Sequence, residues 1–141
     1  MICRVHATLC ALPLEHVVET MRPLPVEPVA GSPPFVLGLS VIRGAPVPVV
    51  DAAALLEGKE SNPGRFVTVR AGSGTVALAV DAVLGVRTIP SHVLHELPPL
   101  LRDAPTAMVS AVGALDAELL FVLRSCSLVP EGALTGGATT P

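Results

Sequence analysis

The run 35–51, Phe-Val-Leu-Gly-Leu-Ser-Val-Ile-Arg-Gly-Ala-Pro-Val-Pro-Val-Val-Asp, constrains the fold more than any other part of the chain. It places a lone arginine, Arg43, inside an otherwise uncharged, strand-forming run that ends at Asp51. Residues 39–42 and 47–50 read as strands, and Gly44-Ala45-Pro46 between them reads as a tight turn with Arg43 at its edge. A guanidinium is permanently charged and costly to bury alone, so this position requires either a nearby carboxylate or a partner that supplies one.

The rest of the chain follows the same short-strand pattern. Val5, Ala7, Leu9 and Ala11 alternate with Arg4, His6, Thr8 and Cys10, as in a strand with one buried face. Residues 17–21 fit a helical turn or a second strand, and Pro23, Pro25 and Pro28 impose an extended connector. The one helical piece is Ala52-Ala53-Ala54-Leu55-Leu56-Glu57, ending at Gly58 and too short to stand without a sheet beneath it. Residues 59–64 read as a mobile polar loop. Residues 65–71 and 75–80 flank Gly72-Ser73-Gly74 as a hairpin, and 84–89 reads as a further strand. A proline-rich loop over 90–105, with a turn of helix around 92–97, leads to a closing hairpin over 108–115 and 118–123. Many short strands with almost no helix predict an all-β barrel or sandwich rather than an α/β fold.

A length of 141 residues, 50% of them hydrophobic, suits one domain or two very small lobes sharing a core. Net charge is −3 with Lys59 the single lysine, and three Phe with no Trp or Tyr leave little to stack on bases, so nucleic-acid binding is not expected. No uncharged apolar run approaches the roughly 18 residues that span a bilayer, and the opening residues read as a first strand rather than a leader. Cys3, Cys10 and Cys126 are an odd number at no metal or redox spacing, which predicts reduced thiols in a cytoplasmic protein, acting as small apolar filler.

Side chains capable of chemistry do not assemble into a reaction. Asp51, Asp81 and Asp116 each end an apolar run and precede alanine, where an aspartic-protease carboxylate needs a hydroxyl and a glycine; the expected role is capping a turn or helix. His92, His95 and Glu96 lie in a proline-flanked stretch without a third spaced ligand and read as a surface loop. No serine has a Gly-x-Ser-x-Gly setting, and Cys126 would need a histidine base supplied by the fold. No enzyme activity, cofactor or metal is expected.

Pro33-Pro34-Phe35-Val36-Leu37-Gly38, Ile42-Arg43-Gly44 and Val47-Pro48-Val49-Val50-Asp51 together resemble the P-P-F-I-x-G-x-x-N-L-R-G-x-x-V-P-V-V-D signature of the CheW-like domain, the coupling module of bacterial chemotaxis. The stretch from Ala11 to Glu19, Val80-Asp81-Ala82-Val83 through Val86, and Val112-Gly113-Ala114-Leu115-Asp116 with the strand after it are similar to further family segments, so the resemblance covers about residues 2–128. It implies two small five-stranded SH3-like β-barrel subdomains packed around a shared hydrophobic seam, within a single domain over 1–130; the Gly/Thr/Pro/Ala composition of 131–141 reads as a flexible tail. It also implies a non-enzymatic cytoplasmic adaptor, recruited to membrane-associated arrays, that couples chemoreceptors to a CheA-type histidine kinase. One barrel would meet the kinase's regulatory domain, and the seam would receive the helical hairpin tip of a receptor.

On that resemblance Glu19 and Arg43 lie close together near the partner surface; the plainer account is a salt bridge pinning the connector onto the hairpin. Val36, Leu37, Val41, Val47 and Val49 lie in runs whose neighbours cannot all face one core, so they are candidate partner contacts unless barrel packing covers both faces. Gly38, Gly44, Pro48 and Asp51 are expected to be structural. The chain departs from the family pattern at Val41, where asparagine is usual, at Ala52-Ala53-Ala54 and at Arg124. These departures bear on contact surfaces more than on the core, and they keep open a second role as a diverged scaffold module in another two-component pathway.

Overall fold

The computed structural model describes residues 1–59, 62–96 and 109–124. Its strands are β1 (Ile2–Val5), β2 (Thr8–Ala11), β3 (Val17–Met21), β4 (Val36–Ile42), β5 (Ala45–Asp51), β6 (Arg65–Ala71), β7 (Gly74–Val80), β8 (Ala82–Gly85), β9 (Leu94–His95), β10 (Val109–Leu115) and β11 (Glu118–Leu123). Among the described residues a single α-helix, α1 (Ala52–Glu57), follows β5, and short 3₁₀ turns precede β3 and β9. The strands form a six-stranded sheet in the order β8-β1-β2-β11-β10-β9 and a five-stranded sheet in the order β3-β6-β7-β5-β4. The chain therefore begins in the first sheet, builds the whole second sheet, and returns. Within each sheet most neighbours are antiparallel, and one parallel pair, β2 with β11 and β5 with β7, joins pieces distant in sequence.

Three apolar clusters account for this arrangement. One lies inside the second sheet (Ile42, Val47, Val49, Phe66, Ala77, Ala79) and one inside the first (Ile2, Leu9, Ala11, Leu120). The third joins both sheets and α1, with Cys3, Val5 and Cys10 from one side meeting Val67, Val69, Val76, Leu78 and Val80 from the other. This is the shared seam. Strand β7 shows why it needs two cores: Val76, Leu78 and Val80 face the seam while Ala77 and Ala79 face their own subdomain, and all five are almost completely buried. A strand covered on both faces reads as a continuous apolar run, which is how this one reads.

The described residues adopt the expected all-β architecture with one short helix. The first sheet holds six strands rather than five because the two-residue β9 adds to its edge. Asp51 caps α1 by accepting a hydrogen bond from the Ala53 amide at 3.0 Å, and Gly58 ends it with φ 69°, which buries Ala52, Ala53 and Leu55 in the seam.

Other expectations change. The single strand read over residues 4–11 is a hairpin, turned at His6-Ala7 with His6 at φ 52°. Long-range partners hold that turn: the His6 amide donates to Asp81 Oδ2 at 2.8 Å, and Glu57 takes His6 Nδ1 and the Thr8 hydroxyl, each at 2.9 Å. Residues 17–21 resolve as a strand, and the strand read over 84–89 is β8, earlier and shorter. The turn read at Gly44-Ala45-Pro46 is Arg43-Gly44, because Ala45 already pairs with Ile42 and Pro46 with Val41. The tail 131–141, Cys126 and most of the 90–105 loop lie outside the described residues.

Two backbone positions carry opposite predictions. Gly38 has φ 146°, and an added Cβ would overlap the Glu27 carbonyl, where the proline connector pairs with Leu39. Gly38→Ala should therefore destabilise by roughly 2 kcal/mol or more, read as a lower urea midpoint. The β10–β11 turn, Asp116-Ala117, has φ of 51° and 66° without a glycine. Ala117→Gly should raise the urea midpoint, with a gain of about 1 kcal/mol.

Candidate protein interaction site

The hairpin β4–β5 closes through a two-residue turn with Arg43 at φ 54° and Gly44 at φ 78°, the pattern of a turn whose twist matches that of the flanking strands. Glycine takes the second left-handed position without penalty, whereas Arg43 takes the first at some backbone cost. The side chain is thereby carried to the hairpin tip. There Arg43 Nε donates to Glu19 Oε2 at 3.0 Å and Nη2 donates to Glu19 Oε1 at 2.7 Å, a two-pronged contact between fork and carboxylate.

Glu19 is the anchored partner. Its amide donates to Thr68 Oγ1 at 3.2 Å, and the Thr68 hydroxyl donates back to the Glu19 carbonyl at 3.3 Å, with Thr68 itself buried. The two side chains differ in exposure, 79% for Arg43 against 27% for Glu19. Glu19 sits on β3 and Arg43 follows β4, the two opposite edges of the same sheet. Their ion pair, with the Glu27–Leu39 bridge of the connector, curls that sheet into a barrel-like shape without a β3–β4 ladder.

Beside Arg43 lies an apolar strip. Val41 is 71% exposed and Leu39 38%, and they pair across the strands with Pro46, also exposed, and half-buried Pro48. The alternating residues Ser40 and Ile42 point into the subdomain. The site thus offers an apolar strip on an edge strand, ending in a guanidinium that spends two of its five donors on Glu19 and, at 79% exposure, presents the others to solvent. That combination suits recognition of a protein surface with an apolar centre and an acceptor or carboxylate at its margin.

Of the residues the sequence singled out, the structure brings Glu19, Arg43 and Val41 together at this surface. Val36 and Leu37 are half-buried, packed against the seam and the second-sheet core respectively. Val47 and Val49 must be reassigned: at 5% and 0% exposure they fill the core of the second sheet and present no side chain to a partner. The subdomain core covers their face of β5, and Pro46 and Pro48 on the other face line the strip. Gly38, Gly44 and Asp51 have the structural duties given above, and Pro48 lines the strip. Leu39 and Pro46 were missed; the exposed–buried alternation from Gly38 to Ile42 would mark Leu39 along with Val41 once one face is known to be covered. Among the departures, Val41 is at the surface and Arg124 is exposed, but Ala52 and Ala53 are buried in the seam and belong to the core.

The three aspartates serve three separate local duties: Asp51 caps α1, Asp81 receives the His6 amide, and Asp116 takes Arg87 at 2.9 Å. Arg4 grips Glu118 with two bonds of 2.9 and 3.0 Å, spanning β2 from β1 to β11. His92 and His95 border a shallow apolar depression with Leu119. Among the described residues no group of three or more His, Cys, Asp or Glu is placed to hold a metal, and no helix is long and apolar enough to cross a membrane.

Comparison with known proteins gives a family-model match, to the CheW-like domain, over residues 1–131. The chain is 28% identical over 110 residues to chemotaxis protein CheW of Rhizobium meliloti (strain 1021), covering 76% of this chain and 71% of that one. It is 34% identical over 101 residues to protein FrzA of Myxococcus xanthus, covering 70% and 62%. Among solved structures, the scaffolding protein TtCheW from Thermoanaerobacter tengcongensis superposes with a TM-score of 0.72 at 22% identity, covering 86% and 85%, and shares the fold.

The Glu19 carboxyl lies below the usual glutamate range because Arg43 hydrogen-bonds its charged form. A depressed folded value means that the pair's contribution is present above the unfolded pKa and is lost as pH falls through the folded one. Glu19→Gln should shift the urea midpoint only slightly at neutral pH, since the pair is exposed, and the difference from the native chain should vanish below the glutamate range.

Proposed function

The chain belongs to the CheW-like domain family over residues 1–131, and from that premise we propose that it is a non-enzymatic coupling protein of chemotaxis, joining chemoreceptors to a CheA-type histidine kinase. The observation that carries the reading at the level of residues is the Arg43–Glu19 pair at the hairpin tip, set against the exposed strip of Leu39, Val41 and Pro46. Nothing in that surface performs chemistry, and everything in it can bind: an apolar area to bury, a charge to steer, and a buried threonine that holds the backbone of Glu19 in place.

In this reading the strip and Arg43 meet the kinase's regulatory domain, and the helical tip of a receptor enters beside the seam. The protein works in the cytoplasm, drawn to membrane-associated arrays through its partners, and residues 1–130 act as one domain. A relative named CheW and another named scaffolding protein support the adaptor role. A second reading, a scaffold module of another two-component pathway, is favoured by two observations: the 34% identity to a relative bearing a different name, FrzA, and the valine exposed at position 41 where the family usually carries asparagine.

Size-exclusion chromatography and calorimetry with the isolated regulatory domain of the cognate kinase test this. The native chain should bind, and folded Arg43→Glu and Val41→Glu variants should each lose about tenfold or more in affinity, ~1.4 kcal/mol. Absence of binding by the folded native chain would sink the first reading in favour of the second.

A further inference from the structure

The hairpin at His6-Ala7 has a chemical consequence. It puts Cys3 and Cys10, seven positions apart in the chain, directly opposite each other across β1 and β2. Met1 and Leu12 exchange both backbone hydrogen bonds, at 2.9 Å each, and hydrogen-bonded pairs recur at every second residue of an antiparallel ladder. Cys3 and Cys10 therefore also face each other at a hydrogen-bonded position, where Cα atoms stand about 5.5 Å apart. That separation falls within the roughly 4.4–6.8 Å a disulfide spans. Both side chains point into the seam, both are 0% exposed, and both are free thiols.

We propose that Cys3 and Cys10 form a redox-active dithiol that a small neutral peroxide converts to a cross-strand disulfide, covalently locking the hairpin on which the first sheet is hung. Strand β1 carries β8 and β2 carries β11, so a bond between them ties both halves of that sheet at the seam.

The two sulfurs have distinct roles. The neighbouring Cys10 thiol lowers the pKa of Cys3, while the proximity of Cys3 and burial raise that of Cys10, so Cys3 is the better thiolate. The Cys3 thiolate attacks one peroxide oxygen, the O–O bond breaks, and hydroxide leaves to give a sulfenic acid. Cys10 then attacks that sulfur, the S–S bond forms, and the sulfenic hydroxyl departs as water with the Cys10 proton. In sum two thiols are oxidised by two electrons and one peroxide is reduced to two waters.

Incubating the folded full-length chain with hydrogen peroxide, followed by intact mass measurement and peptide mapping without reductant, tests the proposal. The expected result is a loss of about 2 Da for the two hydrogens removed, a linked peptide joining Cys3 to Cys10, and reversal by dithiothreitol. A Cys126→Ser chain should behave in the same way, and a Cys10→Ser chain should give no intramolecular link. The mapping on the native chain stands even where a variant fails to fold. A disulfide that forms only after denaturation in urea, a link to Cys126, or oxygen addition at a single cysteine without any link would each overturn it.

Discussion

Everything in this molecule hangs on strands that are buried on both faces. Two small sheets cannot each enclose enough apolar area alone, and the seam lets them share it: β7 sends Val76, Leu78 and Val80 to the common core and Ala77 and Ala79 to its own. α1 completes the seam with Ala52, Ala53 and Leu55, and its position depends on Asp51, whose buried carboxylate satisfies a helix amide that would otherwise lie in an apolar core.

The same economy places the interaction site. Because the second sheet's inner residues are committed to two cores, its outward face at β4 is what remains, and there the chain leaves Leu39, Val41 and Pro46. The curl of the sheet brings β3 within reach of the hairpin tip, so the anchored Glu19 can orient a guanidinium that keeps most of its surface in water. A rigid acceptor beneath an exposed fork limits what ordering Arg43 costs on binding, which is how an otherwise weak surface pair becomes useful at an interface.

How much of this was legible depended on whether the deciding contacts were local. The strands around Arg43, the helix over Ala52–Glu57 with Asp51 before it and Gly58 after it, and the turn at Gly72-Ser73 depend on local conformational preferences and were readable. The pairing of Glu19 with Arg43 was readable only through the family pattern, because no local rule joins residues 24 positions apart. Val47 and Val49 were misread because a run of valines and prolines does not announce which of its faces is covered. Residues 4–11 were misread because alternation continues through a tight turn without a break in hydropathy, and the partners that hold His6 in its left-handed conformation, Asp81 and Glu57, are 75 and 51 residues away.

The sequence by itself determined the all-β class, the short helix with Asp51 and Gly58 as its caps, and the family, because β-branched runs, turn residues and capping groups act through neighbours along the chain. Only the tertiary structure decided which valines are core and which are surface, that Arg43 rather than Ala45 occupies the turn, and that two unremarkable cysteines stand face to face. Those outcomes depend on which strand lies beside which, and that is settled by burying both faces of a sheet at once, a condition no local stretch of sequence can satisfy or reveal.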